Sequence, residues 1–158
     1  MPAASEPVTP PALPARFRPF GVRLAGWLFG GALLVVGTGV WLGLPAEAQD
    51  AFTLLQRATV IALFLGAVVI GHALGRCRVD AGEQGLRVVN GYRTYDLSWA
   101  QVVAVRLRPG NPWATLDLAD GTSLSAMGIQ GSDGQRARRQ VVELRGLIEA
   151  HAGREPGS

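Results

Sequence analysis

Histidine and cysteine carry much of the nucleophilic, acid–base and metal chemistry of proteins, and this chain has two histidines, His72 and His151, and one cysteine, Cys77. So small an inventory gives no Cys/His cluster at metal-ligand spacing. No serine sits in a nucleophile-elbow or Ser-x-x-Lys context, and Gly128, Gly131 and Gly134 form no GxxxxGK[ST] phosphate loop. No enzyme activity, metal or cofactor is expected. A lone Cys77 forms no intramolecular disulfide, and one thiol fits either side of a membrane.

The remaining polar chemistry belongs to arginine. All 15 basic residues are Arg, set against 12 acidic residues for a net charge of +3. A nucleic-acid binder gathers its cations on one face, whereas here acids and bases alternate through the second half, so no nucleic-acid partner is expected. Arg106 and Arg108 fall at i, i+2 of one expected strand face, with Trp113 after the following turn. These three form a candidate site for a protein partner, since Arg and Trp are enriched in binding hot spots. The competing reading is structural: Asp117 on the next strand pairs with one Arg. Arg76 and Arg78, just after the second apolar run, are candidate lipid-headgroup contacts or plain topology anchors. Arg136, Arg138, Arg139 and Arg145 oppose Glu143 and Glu149 and read as a solvated helix face, with Arg139 and Glu143 at i, i+4. His72 is an ionisable residue inside an apolar run and hence a candidate by default, yet it stands close to Arg76 and two helices supply no carboxylate for a proton relay.

Two unlike halves must position these side chains. Residues 1–20 hold Pro2, Pro7, Pro10, Pro11, Pro14 and Pro19 and are expected to be a disordered lead-in. Residues 21–75 are expected to form a transmembrane helical hairpin, with spans about 24–44 and 57–75, each near the roughly 20 apolar residues that a crossing needs. Pro45 ends the first. Ala46-Glu47-Ala48 has the form of a cleavage site, but an export signal's apolar core is only about 7–15 residues long. Arg16, Arg18 and Arg23 precede the spans and Arg76 and Arg78 follow them, while Arg57 stands alone between them beside Glu47 and Asp50. The positive-inside rule then places this multi-pass chain in the cell membrane with both termini cytoplasmic. Gly26 and Gly30, and again Gly71 and Gly75, have GxxxG spacing, so an antiparallel pair would set Gly26 against Gly75 and Gly30 against Gly71.

The domain expected over residues 76–151 is a meander. Its strands are Cys77–Val79, Leu86–Val89, Tyr92–Leu97, Val102–Arg108, Trp113–Leu118 and Thr122–Met127, with Asn90-Gly91 as a two-residue hairpin turn. Ser132 and Gln135 have capping-box spacing ahead of a helix from about Gln135 to Ala150. Ala137, Val141, Leu144 and Ile148 give it an apolar stripe, widened by Leu147, that suits packing on a sheet. Residues 152–158 are expected to be a disordered tail. The fold class is α+β: a two-helix membrane hairpin, then a small antiparallel β domain capped by a helix.

Several features resemble a known family: the hairpin leading into Ser98-Trp99, the Arg-Pro-Gly-Asn-Pro-Trp turn at 108–113, and the Ala-Asp-Gly turn at 119–121. Residues 76 to 150 look like the bacterial pleckstrin-homology (PH) family named after low-molecular-weight protein antigen 6. The resemblance implies a PH-like fold with two spans ahead of it, and it brings neither established catalytic residues nor a settled ligand. PH domains that bind phosphoinositides use a basic loop between their first two strands, whereas the matching loop here, Ala81 to Gly85, carries Glu83 and no cation. The expected function is a membrane-anchored PH-like interaction or scaffolding module, its partners being membrane lipids around the spans and another protein. The alternatives are an anionic-lipid-sensing domain and an accessory subunit of a larger membrane complex.

Overall fold

The computed structural model describes residues 12–152; the rest of the expected lead-in and tail lies outside the described residues. The chain divides into two units, one of residues 20–75 and one that joins residues up to 19 with those from 76 onward.

The helical unit contains α1 (Gly21–Gly43), a short α2 (Ala46–Ala51) and α3 (Leu54–Arg76). Both long helices are long and apolar enough to cross a membrane, and neither buries a residue. Their ends are closed by side chains. The Gln49 amide donates to Trp41 O at 2.9 Å and Leu44 O at 3.2 Å, adding side-chain donors to the C-terminal end of α1. Arg57 donates to Gln49 O at 2.5 Å and Phe52 O at 3.1 Å, and its guanidinium lies 5.5 Å from the Trp41 ring centre. Thr53 and Gln56 form a capping box before α3: Thr53 N donates to Gln56 Oε1 at 2.9 Å and Gln56 N to Thr53 Oγ1 at 3.3 Å. The glycine contacts expected from the sequence are not formed. A Cβ built on Gly26, Gly30, Gly71 or Gly75 meets no atom within 4 Å, so these faces are open and the connector joins the helices instead.

The second unit begins with a strand ahead of the helices. Ala15–Phe17 form β1, which corrects the expectation of disorder there. After the helices come β2 (Arg78–Gly82), β3 (Gly85–Asn90), β4 (Arg93–Ser98), β5 (Val102–Arg106), β6 (Trp113–Leu118), β7 (Ser123–Gln130) and α4 (Gln135–Ala152). Two antiparallel sheets result, β1-β2-β3-β4 and β5-β6-β7. β1 pairs with β2 in the register Ala15↔Ala81, Arg16↔Asp80, Phe17↔Val79, which turns Phe17 into the core at 3% exposure. Pro14 and Pro19 flank the strand and take no ladder position. The chain thus inserts the whole helical unit between two paired strands.

The expected stripe on α4 is buried: Ala137, Val141, Leu144, Leu147 and Ile148 close one side of a core that includes Val79, Leu86, Val88, Val105 and Leu116. Three local expectations are corrected. β5 stops at Arg106, and Arg108 opens a turn in which Asn111 N donates to Arg108 O at 3.0 Å with Gly110 at φ 86°. The turn between β3 and β4 is Gly91-Tyr92, because Asn90 is itself paired with Arg93 and is bound to the other sheet. Its amide donates to Ser125 O at 2.5 Å and its carbonyl accepts from Met127 N at 3.1 Å. Finally, Ser132 sits within a 3₁₀ turn, Gly131–Asp133, and Gly134 at φ 56° leads into α4. The sheets meet closely at Gly128, where any Cβ would stand 2.6 Å from the Arg78 backbone.

Candidate functional site

The outer face of the first sheet carries a row of alternating charge. Strand register sets Arg16 opposite Asp80, Asp80 opposite Arg87, and Arg87 opposite Asp96, so one residue from each strand lies in line. Arg16 Nε lies 2.5 Å from Asp80 Oδ1, and Arg87 Nε 2.6 Å from Asp96 Oδ1. Arg78 joins from two residues along β2, its Nε 2.8 Å from Asp80 Oδ2. The hydrogen bond to Asp96, and then that carboxylate's charge, hold the Arg87 pKa above its ordinary value. Cross-strand neighbours of opposite sign stabilise a sheet. A face neutralised in this way draws little from a distant anion.

The candidate headgroup contacts lie beside this row. Arg78 is half-buried and committed to Asp80, with a further bond from Nη1 to Arg76 O at 3.4 Å. The Arg76 guanidinium lies 5.4 Å from the Tyr92 ring centre, within cation–π range. Neither arginine lines the open depression on this sheet, which Arg16, Asp80, Glu83, Arg87 and Asp96 surround with both charge signs.

The candidate partner site is only partly assembled. Arg106 Nε stands 2.7 Å from Asp117 Oδ2, a Coulombic contact rather than an aligned hydrogen bond. The pair is diagonal, since Asp117 is opposite Ala104 and Arg106 is opposite Thr115. Arg108 is exposed in the turn beyond β5 and so does not share a strand face with Arg106. Trp113 opens β6 half-buried and pairs with Gln130 across a bulge.

Sequence reasoning missed two further arrangements. The Trp99 indole donates to Gly82 O and Glu83 O, both at 3.1 Å, and His151 stacks on its ring at 4.3 Å and 14°. His151 Nδ1 also lies 2.8 Å from Leu147 O, so the end of α4 is fastened to the core. The other is the groove between β1 and α4, lined by Phe17, Arg136, Arg139, Gln140 and Glu143 among others. Gln140 belongs to the core-facing side of α4, only 8% exposed, and its Oε1 has no hydrogen-bond partner among the described residues. The signal was in the sequence: Gln140 falls three residues after Ala137 and four before Leu144, inside the apolar stripe. His72 lies in α3, and among the described residues no group of three or more His, Cys, Asp or Glu is placed to hold a metal.

A family model described as a bacterial PH domain matches residues 76–147. Uncharacterized proteins of Mycobacterium tuberculosis and Mycobacterium bovis are each 31% identical over 123 residues, which is 76% of this chain and 80% of the relative. That stretch is longer than all of the chain after Gly75, so the likeness reaches back into the helical unit. No solved structure matches.

Proposed function

Because the chain belongs to the bacterial PH-domain family, we propose that it is a membrane-anchored interaction or scaffolding module whose PH-like domain faces the cytoplasm and engages a protein partner. The observation that carries this reading is the insertion of two apolar 23-residue helices between paired strands β1 and β2. The two ends of the helical unit leave one β-ladder, so a path that crosses a bilayer must return to the side it left. Two crossings do that. Arg18, Arg23 and Arg76 lie near those ends, and the lone Arg57 of the connector is bound to backbone carbonyls, which agrees with a cytoplasmic domain.

A protein partner suits the domain better than a lipid headgroup. Arg16, Arg78 and Arg87 are already paired with carboxylates, and each would have to give up that partner to take a phosphate. Photocrosslinking the full-length protein in its native membrane, with the crosslinker at exposed Arg93 or Val103, tests the reading. Discrete protein adducts are expected, from membranes that retain the protein through alkaline extraction. Release by alkaline wash, or adducts with lipid alone, would refute it.

A further inference from the structure

We propose that one end of the first sheet, the end carrying the Gly91-Tyr92 turn, rests on the surface of the membrane that the helices enter, with the Tyr92 ring at headgroup level. The proposal rests on the membrane-anchored reading of the helices and adds the surface by which the domain lies on lipid.

Strand register brings three connections to that end. β1 leaves the sheet toward α1 after Phe17, which pairs with Val79. β2 enters from α3 at Arg78, which pairs with Val89, and β3 turns into β4 through Asn90, which pairs with Arg93. The turn therefore lies at the same end as both strands that continue into the apolar helices. Two contacts fasten it to the residues at the close of α3. Gly91 N donates to Cys77 Sγ at 3.2 Å, and the Arg76 guanidinium lies 5.4 Å from the Tyr92 ring centre. Asn90 holds the same turn to the other sheet through Ser125 and Met127. Arg76 is the last residue of a 23-residue apolar helix, so a ring packed against it stands at the level where the hydrocarbon ends.

The chemistry of that end suits an interface. Tyr92 is 59% exposed, and tyrosine concentrates where lipid meets water because its ring is apolar and its hydroxyl is not. Arg76 is exposed, and neither it nor Arg18 makes an ion pair among the described residues. Residues 18–20, 76–77 and 90–93 include no acid, so an anionic leaflet meets only positive charge there. The opposite end differs. Four steps of about 3.3 Å each along β2 lead from Arg78 to Gly82, where the next turn carries Glu83. The loop from Ala81 to Gly85 thus points away from the bilayer. Contact through Tyr92 needs no headgroup pocket and leaves Val103, on the other sheet, to the protein partner. A crosslinker at Arg93 is then expected to give lipid adducts alongside the protein adducts from Val103.

The test uses the full-length protein in vesicles of phosphatidylcholine and phosphatidylglycerol that contain a lipid spin-labelled near the headgroup. An environment-sensitive fluorophore is attached at Thr94→Cys, beside the turn, or at Glu83→Cys, at the far end, while buried Cys77 stays unlabelled in native buffer. The lipid should quench the fluorophore at position 94 strongly and the one at position 83 little. Tyr92→Asp should abolish most of the quenching at position 94, and Tyr92→Trp should keep it, as Trp shares the interfacial preference. Cys77 should stay protected from thiol reagents in both variants. Equal quenching at the two positions overturns the proposal, and so does quenching at position 94 that survives Tyr92→Asp. Loss of quenching together with exposure of Cys77 also overturns it, because Tyr92 then supports the fold rather than touching lipid. Protein retained through alkaline extraction with an unquenched label at position 94 refutes this contact alone. Protein released by that extraction refutes the anchoring reading with it.

Discussion

Phe17→Ala is the sharpest perturbation of the inserted topology. Phe17 belongs to a three-residue strand, yet its side chain is 3% exposed among core residues. Truncating a buried Phe costs about 3–5 kcal/mol, as transfer and cavity terms combine. A domain of this size has a stability on the order of 0.05–0.15 kcal/mol per residue. The substitution therefore removes a large share of what holds the domain together. Cys77 provides the assay, being the one cysteine of the chain and 1% exposed just ahead of β2. Its reaction with a thiol reagent in native buffer reports the open fraction, so the loss converts to a labelling rate about a hundred to a few thousand times faster. Arg16→Ala is the control, because an exposed ion pair such as Arg16–Asp80 contributes only about 0.2–1 kcal/mol. If Phe17→Ala labels no faster than the Arg16→Ala control, β1 is not part of the core and the reasoning fails.

A fragment of residues 76–152 lacks β1 and should unfold at lower urea than the same fragment carrying residues 12–19 joined ahead of it by an Asn-Gly turn; equal midpoints would show that β1 is dispensable. Asn90→Ala removes both bonds that tie the β3–β4 turn to β7 and leaves Met127 N without its acceptor. A loss of about 1–3 kcal/mol should appear as a lower denaturant midpoint at unchanged slope. Asp120 accepts from the Thr122 hydroxyl at 2.7 Å and then its backbone N–H at 2.9 Å, which hold its carboxyl below the ordinary range. The lowered value means that this turn stabilises the fold above the unfolded carboxylate pKa and loses that contribution as pH falls through the folded value. Thr122→Val should therefore lower the urea midpoint near neutrality and converge with the wild type at the acid end, and a gap independent of pH would contradict the assignment.

What the sequence made legible follows the range of the interactions. The stripe on α4, the two apolar helices, and β6 with its alternation are all set by neighbours within a few residues, where periodicity speaks directly. Asn90 departs from its local signal for a related reason. Asn-Gly is a strong turn signal, but its side chain is engaged by Ser125 and Met127, thirty-five and thirty-seven residues away. Tertiary partners outweighed the dipeptide preference. Gln140 illustrates the reverse case: its place in the stripe was visible, whereas its missing partner appears only once β1 and α4 face each other across the groove.

β1 was the least legible element, and the reason bears on function. Three residues flanked by prolines give no usable period, and the partner that makes them a strand, Asp80 opposite Arg16, lies sixty-four residues along the chain. The helical unit is inserted between the first two strands of the sheet. Here the opening makes β1 both a structural strand of the domain and the segment leading directly into α1, with only Arg18, Pro19 and Phe20 between them. Any force on α1 is transmitted first to a ladder of three residue pairs anchored by one aromatic side chain. The same strand forms one wall of the groove lined by Gln140 and Arg139. Loss of the strand therefore removes that wall together with the Phe17 anchor.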